Sequence, residues 1–365
     1  MKKIYWGFFF CGLLWSCCKN EDYFAGKVAM IDGFEKEYTL SGEEIKLDGV
    51  YTGYMSVYDS LLLFCSSQFG DYLLYTYNLN NGKPLKSLFK VGRGPNEFMD
   101  ITHTEQYVNE DDCIKLWIYD ETKSHMLVNL TRSLQLSSDS LVIDSIIPVE
   151  AKKVVKSYLG FLFVLDESRF IVKKPCEKLY YNDPKYIPGN YTLYSHSLDN
   201  PLQIYTLFDK PVINPIHKFP NVFYASNDRI KPDKSKIAMA MHQVAQINIL
   251  DVITGELKGF RLKGTPGFDY LKGDPENFRT YYWKLNVDDR YIYAIYEDVP
   301  SYGSHEKDRT NTVIHVFDWD GNPVCKFILP EVLGQITLDP VTGYLYGKTY
   351  LEEIFRYDLR ALLPK

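Results

Sequence analysis

Residues 75–98 read YTYNLNNGKPLKSLFKVGRGPNEF. The first part alternates aromatic, hydroxyl and aliphatic side chains as a half-buried strand does, and Asn81-Gly82 then offers two residues that tolerate positive φ, so the chain can reverse into a second strand. The pattern is an apolar strand ending in Tyr or Phe, an Asp-like residue, a short polar or Gly turn, and a returning strand. It recurs as LWIYDETKSHMLVNL from Leu116, LYSHSLDNPLQIYTL from Leu193, INILDVITGELKGFRL from Ile247, IHVFDWDGNPVCKFIL from Ile314 and IFRYDLRALL from Ile354. Its anchors are Asn78, Asp120, His196, Asp251, Asp318 and Asp358, spaced 42, 76, 55, 67 and 40 residues apart. Those intervals bracket one propeller blade, with insertions in the longer ones.

Another pair of strand-like runs precedes several of these motifs, as in YMSVYDSLLLFCS, FLFVLDESRFIVKK and WKLNVDDRYIYAIYED. Four antiparallel strands per unit and six units predict an all-β, six-bladed β-propeller, in which ring closure protects the sheet edges. The last motif ends near the C-terminus, so KEYTLSGEEIKL from Lys36 is the expected source of the strand that closes the ring. The expected organisation is a signal peptide over 1–16, a tether over 17–35 and the propeller over 36–363.

The segment KVGRGPNEF lacks the Lys-Ser/Thr pair at a helix start that a Walker loop needs, and no strand-to-helix unit surrounds it as a dinucleotide fingerprint requires. Gly92 and Gly94 instead suit a chain crossing from the outer edge of one blade to the inner edge of the next, with Phe98 plugging between blades and Glu97 bonding backbone donors. YNLNNGKPLKSLFKVGRGPNEF is similar to the repeat of NHL-type propellers. With IYAIYED, IHVFDWDGNPVCKFILP and GQITLDPVTGYLYG, it resembles the TolB-like six-bladed propeller lipoproteins of Bacteroidetes, from about Tyr51 to Leu363. The resemblance implies the fold and an envelope location, and no catalytic activity.

The first residues agree with that address. Lys2 and Lys3 precede the apolar run IYWGFFFCGLLW, which is too short for a membrane span and suits a secretory signal. Leu14-Trp15-Ser16-Cys17 resembles a lipoprotein signal, which implies lipidation at Cys17 and a membrane anchor. The following CKNEDYF resembles a surface-export signal, so an outer-membrane lipoprotein on the cell surface or the periplasmic face is expected. Losing residues 1–16 removes two lysines and leaves 39 basic against 47 acidic residues, a balance of −8 that argues against nucleic acid as a partner. The six cysteines after the signal lack a CxxC pair, and their apolar surroundings favour buried free thiols.

Catalytic patterns are missing from the sequence. The seven histidines have no HExxH or HxH spacing, no GxSxG elbow occurs, and DWDGN at Asp318 lacks the downstream Glu of a calcium loop. Candidate ligand-binding residues are therefore few. Arg93 could grip a carboxylate or sulfate from the loop joining two blades, with Glu97 beside it. His103 and His242 are candidates for the central channel, although single strand histidines are more often structural. Tyr281, Tyr282 and Trp283 could form a stacking platform for sugar rings, or belong to the core. The polar insertions at 176–191 and 297–312 are further candidates for recognition. The expected role is a non-enzymatic binding lipoprotein for a glycan, a peptide or a partner envelope protein. An axial calcium site that serves a hydrolase or lyase is the competing reading, from precedent in the architecture alone, and its ligands cannot be assigned from sequence.

Overall fold

The structure is a computed structural model that describes residues 19–20, 23–49, 51–66, 70–120, 124–147, 162–174, 189–195, 201–214, 216, 223–301 and 309–363. Six four-stranded antiparallel units follow one another in chain order, each built from inner to outer edge. Their inner strands are Tyr54–Tyr58, Thr102–Glu110, Leu162–Val164, Ser226–Ile230, Arg279–Val287 and Leu333–Leu338. These define blades one to six around a common axis. Hairpins between first and second strands lie on one face of the ring, here the hairpin face. The connections from each outer strand to the next inner strand lie on the other, the loop face.

The repeated Asp of the motif has a local cause. Asp251 Oδ1 accepts from the N–H of Ile253 at 3.0 Å and of Thr254 at 2.7 Å, and Asp318 Oδ1 accepts from Asp320 and Asn322, both at 2.9 Å. Asn78 and Asp358 do the same for Asn80 and Arg360. Each is an Asx turn that closes a third strand. Asp120 departs from the pattern because it ends the second strand of blade two, Cys113–Asp120, so the Leu116 motif covers strands two and three. There the third strand, Ser124–Asn129, ends at Asn129, whose Oδ1 caps the short helix Leu130–Gln135 through Arg132 N–H at 3.0 Å. His196 lies outside the described residues.

The last blade contributes only three strands of its own. Its fourth is Glu43–Ile45, antiparallel to Ile354–Asp358 with Ile45 opposite Ile354. Side chains of blade six secure the same closure. Gln335 accepts from Met55 N–H at 3.1 Å and donates to Met55 O at 3.3 Å, while Lys348 donates to Gly53 O at 2.8 Å. An equivalent clamp joins blades two and three, where Gln106 bonds both Val164 N–H and Val164 O.

The segment 17–35, expected as a tether, is docked from Tyr23 onward. Tyr23 and Phe24 are buried in the core between blades three and four, with Phe24 packed edge-on to Phe208 at 6.0 Å. Lys27–Ile31 then pairs in parallel with Leu257–Leu262, and Glu37–Thr39 pairs in parallel with Pro323–Leu329. Residues 23–45 thus strap the outer rim of blades four, five and six. Free N–H and C=O groups of outer strands accept such an addition, and a parallel edge strand has no turn beside it to reveal it in sequence.

Faces of neighbouring blades bury the core. Met239, Leu250 and Val252 of blade four pack with Phe163, Ile171 and Tyr191 of blade three. Each large side chain fully removed from water contributes on the order of 1.5–3 kcal/mol. Cys65, Cys113 and Cys325 are free thiols, the last two buried.

Candidate binding site at the propeller axis

The GRGPNEF loop is structural in detail. Glu97 Oε2 accepts from Gly94 N–H at 2.9 Å, and Lys90 lies 3.6 Å from its other oxygen. That backbone bond, followed by Lys90, holds the Glu97 carboxyl below its ordinary range. Gly92 sits at φ +153°, where an added Cβ would meet Glu97 Oε2 at 2.0 Å. Phe98 is buried edge-on to Phe89 at 4.9 Å. Arg93 stands exposed on this loop, and among the described residues it makes no ion pair with Glu97 or Asp100.

Three of the five remaining candidates, Tyr281, Tyr282 and His103, are not part of one site. Tyr281 and Tyr282 are 2% and 0% exposed, packed among Ala238, Ala240 and Ala294, with the Tyr282 hydroxyl 3.2 Å from His315 Nδ1. They belong to the core, which corrects the three-residue platform. The inner strand of blade five carries register shifts between Thr280 and Tyr282 and between Tyr282 and Leu285, and these bulges turn Trp283 alone outward, 37% exposed. His103 lies on the inner strand of blade two with its backbone opposite Ile118.

Two candidates meet on the loop face. His242, in the turn between the second and third strands of blade four, lies 5.6 Å ring to ring from Trp283. Its Nε2 is buried and without a hydrogen-bond partner. Burial, reinforced by the Lys284 ammonium, lowers the His242 pKa to about 4, so the ring is neutral at pH 7. Asn227 Nδ2 donates to Trp283 O at 3.1 Å and fixes the bulged backbone. Lys284 follows, 5.4 Å from the Trp283 ring and 4.8 Å from the Tyr54 ring.

Below this mouth the axis is closed. Glu105 of blade two adopts φ +60°, rare for a side chain of its size, at a bulge in its strand. It projects to Arg229 of blade four, whose Nε lies 3.2 Å from Oε2, and Asn286 Nδ2 donates to the same oxygen at 2.7 Å. Burial opposes the Arg229 charge, and the Glu105 carboxylate outweighs it, raising the guanidinium above its ordinary value. On the hairpin side the pair floors a cavity of about 60 Å³ lined by Tyr58, Asn286 and Thr337, room for a few waters and well short of an ordinary small-molecule pocket.

Between blades three and four a second buried pair flanks the mouth. Asp228, fully buried, accepts from Lys173 Nζ at 2.8 Å, Tyr191 OH at 2.6 Å and Ser226 Oγ at 2.5 Å. Burial and then Asp228 raise the Tyr191 pKa well above its usual value.

Calcium takes six to eight oxygen ligands, several of them carboxylates. Among the described residues the carboxylates along the axis are Glu105, already engaged by Arg229 and Asn286, and Asp228, already engaged by Lys173, Tyr191 and Ser226, so a cation stands beside each. Among the described residues no group of three His, Cys, Asp or Glu side chains converges as metal ligands would. This donor set does not fit an axial calcium ion.

Sequence reasoning missed Tyr54, Glu105, Lys173, Asp228, Arg229, Lys284 and Asn286. The available signal was polarity in the wrong place. The inner strands SNDRI and WKLNV carry charged and amide residues that are buried or partly buried, whereas the adjoining second strand of blade four, KIAMAM, is almost wholly apolar.

The family model for TolB-like 6-blade propeller-like proteins matches residues 45–340. The chain belongs to this family. No curated protein matches the TolB-like chain in sequence. Among solved structures it is similar to a candidate exported protein of Bacteroides fragilis NCTC 9343, at 12% identity and a TM-score of 0.49 over 88% of this chain and 99% of that one. It is also similar to a member of the duf4221 family from Bacteroides vulgatus ATCC 8482, at 13% identity and a TM-score of 0.51 over 87% of this chain and 96% of that one. At such identity the likeness to the second structure is one of fold.

Proposed function

We propose that this TolB-like propeller is a non-enzymatic envelope lipoprotein that binds a glycan, a peptide or a partner envelope protein through the loop face of its ring. The observation that carries the reading is the pairing of Trp283 with His242 beside Lys284, above an axis closed by Arg229 and Glu105. An exposed indole on a rigid inner strand is a binding group, and a closed axis retains a ligand at the mouth. The hydrolase or lyase alternative loses its chemical support at the axis, where a guanidinium faces the carboxylate an ion would need. The signal ending in Cys17 supports the envelope anchor. Lipidation there would hold the outer rim of blade four near the membrane, because Lys19–Asn20 already pairs with Lys27 and Val28 on that rim.

The test is a binding screen of residues 19–365 against glycan and peptide panels, repeated with Trp283→Ala. The reading predicts at least one ligand whose affinity falls tenfold or more in the variant. Turnover of an ester or glycan by the wild type, or binding indifferent to Trp283, would refute it. Protease treatment of intact cells of the native host then decides which side of the outer membrane the protein faces.

A further inference from the structure

Three cations, Lys173, Arg229 and Lys284, gather along the axis with two carboxylates, Glu105 and Asp228. Lys173 is bound to Asp228 and Arg229 to Glu105. Lys284 is left without a carboxylate partner among the described residues. Its ammonium donates to the Tyr54 hydroxyl at 3.5 Å, and Arg229 Nη2 donates to that same oxygen at 3.4 Å. Both bonds are longer than the usual 2.7–3.2 Å. Two cations therefore converge on one uncharged oxygen, where an anionic oxygen would gain far more. The Tyr54 and Trp283 rings beside Lys284 offset part of its desolvation through cation–π contact. They supply no counter-charge.

We propose that the loop-face mouth takes an anionic ring ligand, its carboxylate or sulfate paired with Lys284 and its ring stacked on Trp283. This rests on the reading of the Trp283 face as a binding site. His242 fits the same ligand, since its Nε2, once protonated as the neutral tautomer, can donate to a ligand oxygen without adding a second full charge. Asn227 is already committed to the Trp283 backbone and so holds the stacking surface still. In a chain with 47 acidic against 41 basic residues, a cation without a carboxylate partner at the mouth is a local attractor for an anion.

The probes are a galacturonate trisaccharide for the carboxylate, a heparin-derived tetrasaccharide for the sulfate, and cellotriose as the neutral control, each titrated calorimetrically into wild type, Lys284→Gln and Trp283→Ala. The proposal expects at least one acidic probe to bind at least tenfold more tightly than cellotriose. It expects Lys284→Gln to abolish that difference with little change in Tm, and higher salt to weaken acidic binding alone. Binding of the galacturonate assigns the carboxylate, and binding of the heparin tetrasaccharide, which carries both groups, without binding of the galacturonate assigns the sulfate. Neutral and acidic probes bound equally, both lost in Trp283→Ala, would overturn the anionic assignment while the binding face stands. No Trp283-dependent binding of any probe would overturn the assignment, and the same outcome across the wider panels would remove the binding face with it.

Discussion

Arg229 on the inner strand of blade four grips Glu105 on the inner strand of blade two, with Nε 3.2 Å from Oε2. The two side chains are 10% and 8% exposed, so each charge depends on the other. Removing one partner of a buried pair leaves an uncompensated charge and costs about 3–5 kcal/mol, whereas replacing both with apolar groups of similar volume can be nearly neutral. Glu105→Gln and Arg229→Met should each lower the urea midpoint markedly. The double variant should recover much of the loss, with a coupling energy of more than 1 kcal/mol. Strictly additive losses would show that the pair does not hold the axis.

The strap is expected to stabilise the ring. Phe24 is 2% exposed and wedged against Phe208. Phe24→Ala should cost about 3–5 kcal/mol through lost burial and the cavity left behind. Limited proteolysis should then cut within residues 19–35 faster than in the wild type. An unchanged cleavage rate and Tm would mean that the rim strands are dispensable.

His125 is buried with neither ring nitrogen hydrogen-bonded, stacked on Trp117 at 5.1 Å. Burial lowers its pKa to about 3, against 6.5 when exposed. Between those values the unfolded chain holds a proton that the folded chain lacks. The stability contributed by neutral His125 is therefore fully present above pH 6.5 and is lost as the pH falls towards 3. His125→Phe should raise stability near pH 5 and make the acid limb shallower by up to about 1.4 kcal/mol per pH unit. Urea titrations at pH 7, 6, 5 and 4 would check this, and an unchanged slope would count against a buried neutral imidazole.

The number of blades was readable from residue types because each hairpin rests on short-range physics, and the closing strand followed because the last motif runs out of chain one strand short. Asx turns at Asp251, Asp318, Asn78 and Asp358 need only a side-chain oxygen and the next few N–H groups, so they recur as a visible pattern. GRGPNEF was legible for the same reason, since Glu97 bonds within its own loop. Asp120 misled because its blade replaces the third-strand turn with a helix capped by Asn129.

The axis was decided by the tertiary structure. Nothing local marks Glu105 as the residue that crosses the ring, because its φ of +60° is imposed by a bulge against a neighbouring strand. Tyr281, Tyr282 and Trp283 are equivalent as letters, and only the register shifts of blade five bury two and expose the third. Lys284 gains its meaning from Tyr54, 230 residues earlier in the chain. Sequence determined the repeat, because each hairpin forms from contiguous residues. Only closure of the ring determined the site, because the Tyr54 hydroxyl of blade one and the charges of blades two, four and five become neighbours solely at the axis.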